Sequence, residues 1–354
     1  MTLMTTRRLP QFPPHSGFYA ALRAAVDEEI ATIDQPRDVL AMYTKIAAIG
    51  ICTIACYVAY LCLSGASVIV LAVPFGILLA SVGFNVQHDG GHESLSRFRF
   101  INRCAAFSLD LLGGSSYVWR WKHNFYHHSY PNVGGVDSDI AIAPVGRLAP
   151  FHTWQRIHRY QHIYLWVLYG LLPLKWHFID DFRDVLRGQI DDMPLPRPRG
   201  LDLLLLLTGK ASFFVTAFVI PSLVHGITLT LTFYLLTSMV VGIVLSVVFQ
   251  LAHCVEGTEF CQGEAVDEWA LHQIATTTDF APRSRFLRWF IGGLNFQIEH
   301  HLFPRLSHVY YPRIAPVVQR VCAERGVPYH VHETFGDALR SHYRLLRENA
   351  RCNA

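Results

Sequence analysis

The chain has 354 residues, and its near-neutral net charge of +3, from 30 Lys and Arg against 27 Asp and Glu, says little about partners; no nucleic-acid partner is expected. An apolar share of 51% with a positive mean hydropathy points away from two soluble domains and towards one membrane-embedded unit. The eight cysteines form no CxxC pair and no regular framework, and several lie in apolar stretches (Cys52, Cys56, Cys62), so they read as small buried side chains in a reducing setting rather than disulfides or cluster ligands.

Residues 1–45 lack the apolar core of a signal peptide, so no cleavage is expected, and they read as a cytoplasmic N-terminal segment. A membrane-crossing helix needs about 20 apolar residues. Four stretches approach or reach that length: 46–63, 66–86, 203–224 and 227–251. Ser64-Gly65-Ala66 joins the first pair and His225-Gly226 the second, so the spans form two hairpins that turn on the same side. Of the 30 Lys and Arg, none lies in the turns and only Lys210 falls within a span, where snorkelling to the interface explains it. The positive-inside rule then puts both termini and the loop 87–202 in the cytoplasm.

Within that loop, 101–118 and 160–178 are apolar, aromatic and interrupted by Gly or Pro, and read as helices at the interface or capping the bundle. The run Met193-Pro194-Leu195-Pro196-Arg197-Pro198-Arg199-Gly200 is a stiff linker into the third span, and 252–354 forms a cytoplasmic helical region. The expected fold is therefore an all-α integral-membrane protein with four transmembrane helices in two hairpins. A cytoplasmic helical cap carries the metal site, and the whole acts as one functional domain.

Seven of nineteen histidines fall in three groups: His88 and His92 in HDGGH, His123, His127 and His128 in HNFYHH, and His300 and His301 in QIEHH. One HxxxH pair alone is weak, since so many histidines generate such spacings by chance. On a helix, residues four apart share a face, so two imidazoles reach one ion, while the third ring of HxxxHH lies about 100° round the axis, towards a second ion. Gln297 shares the face of His300 and His301, where its carbonyl can complete a coordination sphere directly or through water. The hairpin topology brings all three groups to one membrane face. His253, directly after the fourth span, returns to the level of His88 and is a further candidate ligand, or else a helix-end histidine bonded to a carbonyl.

Seven or eight imidazoles exceed what one ion uses, so two metals are implied. Ligand type leaves zinc, copper, nickel and iron open; placement beside apolar spans that can hold an alkyl chain favours iron and oxygen chemistry. Asp89, Asp110, Asp137, Asp139, Glu256 and Glu299 are candidates to orient the rings, with solvated-loop or helix-cap roles as the plain alternative. Tyr117, Trp119, Trp121 and Phe125 flank the second group as candidate lining of an acyl tunnel, although interface aromatics also serve simply as anchors. Arg120 and Lys122 are candidate contacts for an acyl carrier's phosphates or an acidic electron donor, though a positive-inside loop carries such charges anyway.

HDGGH, WKHNFYHHSYPNVGGVDSDI and NFQIEHHLFPRLSH together resemble the three histidine boxes of membrane fatty acid desaturases, from about the second span to ALRSHYRLL. QxxHH in the third box, with Gln297 where many members have histidine, resembles the front-end and linoleoyl-CoA branch. The resemblance implies that His88, His92, His123, His127, His128, His300 and His301 bind two non-haem irons, with His253 matching a further histidine. It implies O2-dependent desaturation of an acyl-CoA or acyl-lipid. Front-end members often carry a fused cytochrome domain with an HPGG motif, which the residues before the first span lack, so electrons are expected from a separate ferredoxin or cytochrome with its reductase. Hydroxylation, acetylenation or ketolation at the same centre is the nearest alternative. A zinc hydrolase lacks HExxH and HxxEH here, and a metal transporter lacks polar residues in mid-span.

Overall fold

The computed structural model describes residues 9–14, 16–33, 35–262 and 267–352. Four helices are long and apolar enough to cross a membrane: Arg37–Cys62, Ala66–Gly91, Leu201–His225 and Ile227–His253. They form the two expected hairpins, closed at Gly65 (φ 66°) and Gly226 (φ 77°), backbone positions that glycine adopts without strain. Each helix differs from its apolar stretch at the ends; the second runs on to Gly91 and the fourth to His253, because hydropathy falls off before backbone hydrogen bonding does.

The second and fourth helices form the inner pair, with 44% of each apolar window buried against 17% and 22% for the first and third. Gly76 allows their close approach: a Cβ there would sit 2.7 Å from Val240 Cβ. The turn ends are stitched by Tyr60, whose ring stacks 3.8 Å from Phe233 and whose carbonyl accepts from His225 Nε2 at 2.8 Å. Lys210 does not snorkel. It is buried, with Nζ 2.6 Å from both Asp181 Oδ2 and the Gly113 carbonyl, because the loop after the second span folds back against the third helix and supplies a counter-charge nearer than the interface.

Region 101–118 begins as an amphipathic helix, Arg99–Leu111, which buries Asn102, Ala105 and Asp110 and exposes Phe100 and Leu111. Region 160–178 breaks into Gln161–Tyr169, Leu172–Lys175 and Trp176–Asp180, with exposed Ile163, Val167 and Phe178. Over the open ends of the spans sits a helical cap whose core joins Leu22 and Val26 to Ile274, Ile298, Ile314 and Val318. Two short strand pairs occur among the described residues: Gln189–Ile190 antiparallel with Met193–Pro194, and Asp279–Phe280 parallel with Val331–His332. The second pair ties the C-terminal helix Phe335–Asn349 to the segment beneath the third histidine box. No disulfide joins the described cysteines, and Cys52 and Cys62 lie exposed on the first span rather than buried.

Candidate metal centre

Four helix ends converge to build the centre. The last turns of the second span pass through a π-turn, Gly83–Gln87, and continue as His88–Gly91, so His88 is held on a helix rather than on a loop. Gly90 and Gly91 of HDGGH are required by packing: a Cβ on Gly90 would lie 2.5 Å from Ala105 Cβ, and one on Gly91 2.2 Å from the Trp119 ring. Trp119 in turn stacks on His123 at 4.5 Å and 22°.

The second box lies on a π-helix, Arg120–His127, which corrects the expected α-helical placement of its third ring. The His128 N–H closes onto the His123 carbonyl five residues back, so His128 returns above His123 instead of splaying to the side, and the two Nε2 atoms lie 3.2 Å apart. The third box is the short helix Gln297–Leu302, fully buried. His253 ends the fourth span, with its Nδ1 3.2 Å from the Thr276 carbonyl.

The rings fall into two groups. His88, His92, His123 and His300 offer ligand atoms within 4.8 Å of one another, as do His127, His253 and His301; His123 and His127 also approach Asp139 within that limit. His128 sits between the groups, its ring centroid 4.4 Å from His92, 4.6 Å from His300 and 4.2 Å from His301. Gln297 reaches the second group, its amide nitrogen 3.0 Å from His253 Nε2. Burial, and then the neighbouring histidines, hold His92, His123, His128, His300 and His301 well below the usual imidazole range, so all five are neutral and free to donate lone pairs. At His127 burial pulls the same way, but the Asp137 carboxylate outweighs it and raises the ring.

Five buried ring nitrogens in this cluster, His92 Nε2, His127 Nε2, His128 Nδ1, His300 Nε2 and His301 Nε2, have no hydrogen-bond partner among the described residues. Leaving so many buried polar atoms unmatched costs about 1–3 kcal/mol each, whereas cations between them would satisfy all of them. On the far side three of these rings are held: His127 Nδ1 donates to Asp137 Oδ2 at 3.1 Å, His301 Nδ1 lies 2.9 Å from the Gln273 side-chain amide, and His300 Nδ1 lies 3.1 Å from the Tyr311 hydroxyl. Inner nitrogens open and outer nitrogens anchored is the arrangement of a metal site.

Residues 12–333 match the sequence model of the Fatty acid desaturase family. The chain belongs to the fatty acid desaturase family. It is similar to an sn-1 linoleoyl-lipid 6-desaturase of Arthrospira platensis, 36% identical over 78% of this chain and 76% of that one. An acyl-lipid (8-3)-desaturase of Physcomitrium patens is 41% identical over 78% of this chain but only 59% of its own length. A Delta(5) fatty acid desaturase of Dictyostelium discoideum is 29% identical over 95% and 76%. This chain is thus a fatty acid desaturase, an oxidoreductase.

The other expected site residues of the desaturase are placed unevenly. Trp119 borders His88, His92 and His123. Tyr117 joins a buried cluster with Val118, Tyr126, Val133 and Met193, its hydroxyl on the Pro196 carbonyl at 2.5 Å, and Trp121 packs on that cluster's edge. Phe125 is 42% exposed. An apolar cavity of about 670 Å³ lies elsewhere, between the fourth span and the C-terminal helix, lined by Val244, Val247, Val248, Leu287, Ile291 and Leu339. Arg120 pairs with Asp202 at 3.2 Å, and Lys122 is drawn inward to Asp139 at 3.0 Å; burial pulls its pKa down, but the Asp139 and Asp180 carboxylates outweigh it and hold the ammonium above its ordinary value, so its charge serves the interior.

Among the carboxylates, Asp137 orients His127, while Asp89 lies 2.5 Å from His308 Nδ1 and 4.0 Å from His88. Asp110 accepts from the Ser116 N–H at the entry to the second box, and burial pushes it up to about 6. Glu256 lies at the surface, 3.6 Å from Arg344. Glu299 is buried beside Asp279, and the Tyr329 hydroxyl is 3.0 Å from the first and 2.6 Å from the second. Burial, then the neighbouring carboxylate, raises Glu299 well above the usual range, while burial raises Asp279 to about 6. Gln273, Tyr311, His308 and the Thr276 carbonyl were not singled out by the sequence; only His308 lies inside a box-like stretch, LFPRLSH.

Proposed function

We propose that this desaturase holds two iron ions, one in each histidine group with His128 between them. It inserts a C=C bond into an acyl chain carried on a membrane lipid, using O2 and two electrons from a separate one-electron donor, a ferredoxin or cytochrome with its reductase. The observation that carries this reading is the set of five orphaned ring nitrogens in one buried cluster, three of them, on His127, His300 and His301, belonging to rings whose opposite nitrogen is anchored. The relatives' names support the lipid-linked substrate. The distribution of Lys and Arg supports a cytoplasmic face for the termini and the metal site.

The overall reaction balances when two methylene hydrogens, one O2, two electrons and two protons give one alkene and two waters. Reduced iron supplies the O2 activation that an unactivated C–H bond demands, since side-chain acids and bases cannot attack it. The chain's own residues do the rest. His88, His92, His123 and His300 would hold one ion; His127, His253 and His301 the other, with Gln297 completing that sphere directly or through water. Asp137, Tyr311 and the Thr276 carbonyl fix the ring orientations by accepting the outer N–H groups, and the Gln273 side-chain amide fixes His301. Trp119, braced by Gly91 and His123, forms a wall where an alkyl chain lies against the first group.

The test is expression beside a matched His127→Ala control in an aerobic host with a ferredoxin reductase system, locating double bonds by mass spectrometry and measuring metal. A new unsaturated acid absent from the control, with about two iron per chain, is expected. Hydroxylated lipid in place of alkene, or full activity with zinc and without O2, would replace the reading.

A further inference from the structure

The C-terminal helix Phe335–Asn349 has two faces. Its inner face buries Ala338, His342, Leu345 and Leu346, and its outer face presents Arg340, Arg344 and Arg347 at positions i, i+4 and i+7, followed by Arg351 just past its end. Arg340 is tied to Asp337 at 2.7 Å and Arg344 to Glu256 at 3.6 Å, but Arg347 and Arg351 have no carboxylate partner among the described residues. The helix packs against Arg156–Tyr160, whose Arg156 and Arg159 are also exposed and unpaired among the described residues, and Trp154 Nε1 bonds the Ala350 carbonyl at 2.9 Å. Arg156, Arg159, Arg347 and Arg351 thus share one surface, with Glu348 interleaved.

That surface lies beyond the spans. Along the helix, Leu339 sits beside Val247 and Val248 of the fourth span, and His342 reaches Cys254, one residue past its end. With a rise of about 1.5 Å per residue, Arg347 and Arg351 lie further out still. The inner face leads straight to the metal centre: His342 Nδ1 donates to the Cys254 carbonyl at 2.6 Å, Cys254 is bonded covalently to His253, and His342 Nε2 is held by the Tyr169 hydroxyl at 2.9 Å.

From this juxtaposition we infer that the surface of Arg156, Arg159, Arg347 and Arg351 is the docking site of the electron donor, an acidic soluble one-electron carrier protein. The inference rests on the separate-donor reading above and relocates its contact from Arg120 and Lys122, whose charges are spent on Asp202 and Asp139. Each encounter oxidises one carrier and passes one electron through the short segment His342–Cys254–His253. Two encounters supply the two electrons that, with the two taken from the substrate, reduce O2 to water. Unpaired surface arginines suit this partner because long-range charge complementarity speeds encounter without demanding a tight complex.

The experiment uses the full-length iron-loaded enzyme in detergent with an acidic [2Fe–2S] ferredoxin and its reductase, and varies ferredoxin concentration and salt. Arg347→Glu/Arg351→Glu, and the same pair with Arg156→Glu, are compared with the wild type and with Arg320→Glu, an exposed arginine on the helix Tyr311–Glu324. The expected result is a rise in KM for ferredoxin of about tenfold, loss of its salt dependence, and unchanged kcat at saturating donor and unchanged iron content, with Arg320→Glu like wild type. Unaltered KM and salt dependence in the triple variant overturn the inference while leaving the separate-donor reading intact. Loss of binding to anionic vesicles with an unaltered KM overturns it in favour of a lipid contact. Failure of the wild type to turn over with any added carrier removes the donor reading, and the docking surface with it.

Discussion

Replacing Asp137 tests whether the outer partners of the histidines hold the metal. Its carboxylate is 1% exposed, and Oδ2 accepts the His127 Nδ1–H at 3.1 Å and the Asn132 N–H at 2.9 Å, while Oδ1 accepts the Asp139 N–H at 3.0 Å. Asp137→Ala strands three buried donors at about 1–3 kcal/mol each, enough to lower the melting temperature substantially, and frees the His127 ring. Loss of a ring-orienting carboxylate typically weakens metal binding about 10–100-fold. Asp137→Asn keeps the shape and can leave its oxygen on the His127 and Asn132 donors while its NH2 meets the single Asp139 N–H, and it loses the charge, so its effect should be intermediate. Asp139→Asn is the internal control: at 3.8 Å from the His127 ring and 3.0 Å from Lys122, it should cost stability through the half-buried lysine with little loss of iron. The assay is iron per chain after dialysis against graded chelator, alongside thermal unfolding. Wild-type iron retention in Asp137→Ala, or an Asp139→Asn that loses iron as readily as Asp137→Asn, would refute the reasoning.

Gly90→Ala should destabilise by about 1–3 kcal/mol or more, because the new methyl meets the backbone nitrogen of Ala106 at 2.7 Å, whereas Gly91→Ala meets only the Trp119 ring and should instead disturb Trp fluorescence and iron affinity through His123. Lys210→Met should cost about 3–5 kcal/mol by stranding Asp181, and Lys210→Met/Asp181→Leu should recover most of it; additive losses in thermal unfolding would show that the pair is not a unit. For pH, His92, His123, His128, His300 and His301 have folded pKa values below the unfolded value of about 6.5, so the unfolded chain binds more protons below that pH. Stability of the iron-free protein from this source is therefore present above about pH 6.5 and lost on acidification, by up to about 1.4 kcal/mol per histidine per pH unit. His127, raised by Asp137, works the other way, but one ring does not offset five. An unchanged melting temperature of the iron-free protein between pH 7 and 5.5 would contradict this.

The spans and the three boxes were legible because each is a local pattern: apolar length, a turn glycine, histidines four apart. The membrane-level polar contacts were not. Lys210 reads as a snorkelling lysine until the chain is folded, since Asp181 lies in a loop whose return against the third span no periodicity announces. Lys122 likewise looks like a loop charge, yet Asp139 draws it inward. The partners that orient the rings lie far off in sequence, 28 residues for Gln273 and His301 and 219 for His308 and Asp89, and depend on tertiary contact alone. Asp137 was among the candidates, but nothing local separates it from Glu256, which ends at the surface.

The π-turn in the second box explains how one short segment serves two groups. On an α-helix, the sixth residue of HxxxHH would stand about 140° round the axis from the first. With the i→i+5 closure His128 comes back over His123, so His123 faces the first group, His127 the second, and His128 the space between. The two groups are not anchored alike. In the second, the outer nitrogens of His127, His301 and His253 meet the Asp137 carboxylate, the Gln273 side-chain amide and the Thr276 carbonyl; in the first, His300 meets the Tyr311 phenol and His88 lies 4.0 Å from Asp89. The close carboxylate contact, Asp137 on His127 at 3.1 Å, belongs to the second group and makes the inner nitrogen of that ring more basic. The second group is also the one that His342 approaches through Cys254, so an ion held there would be the one placed to receive electrons from the proposed arginine-lined surface.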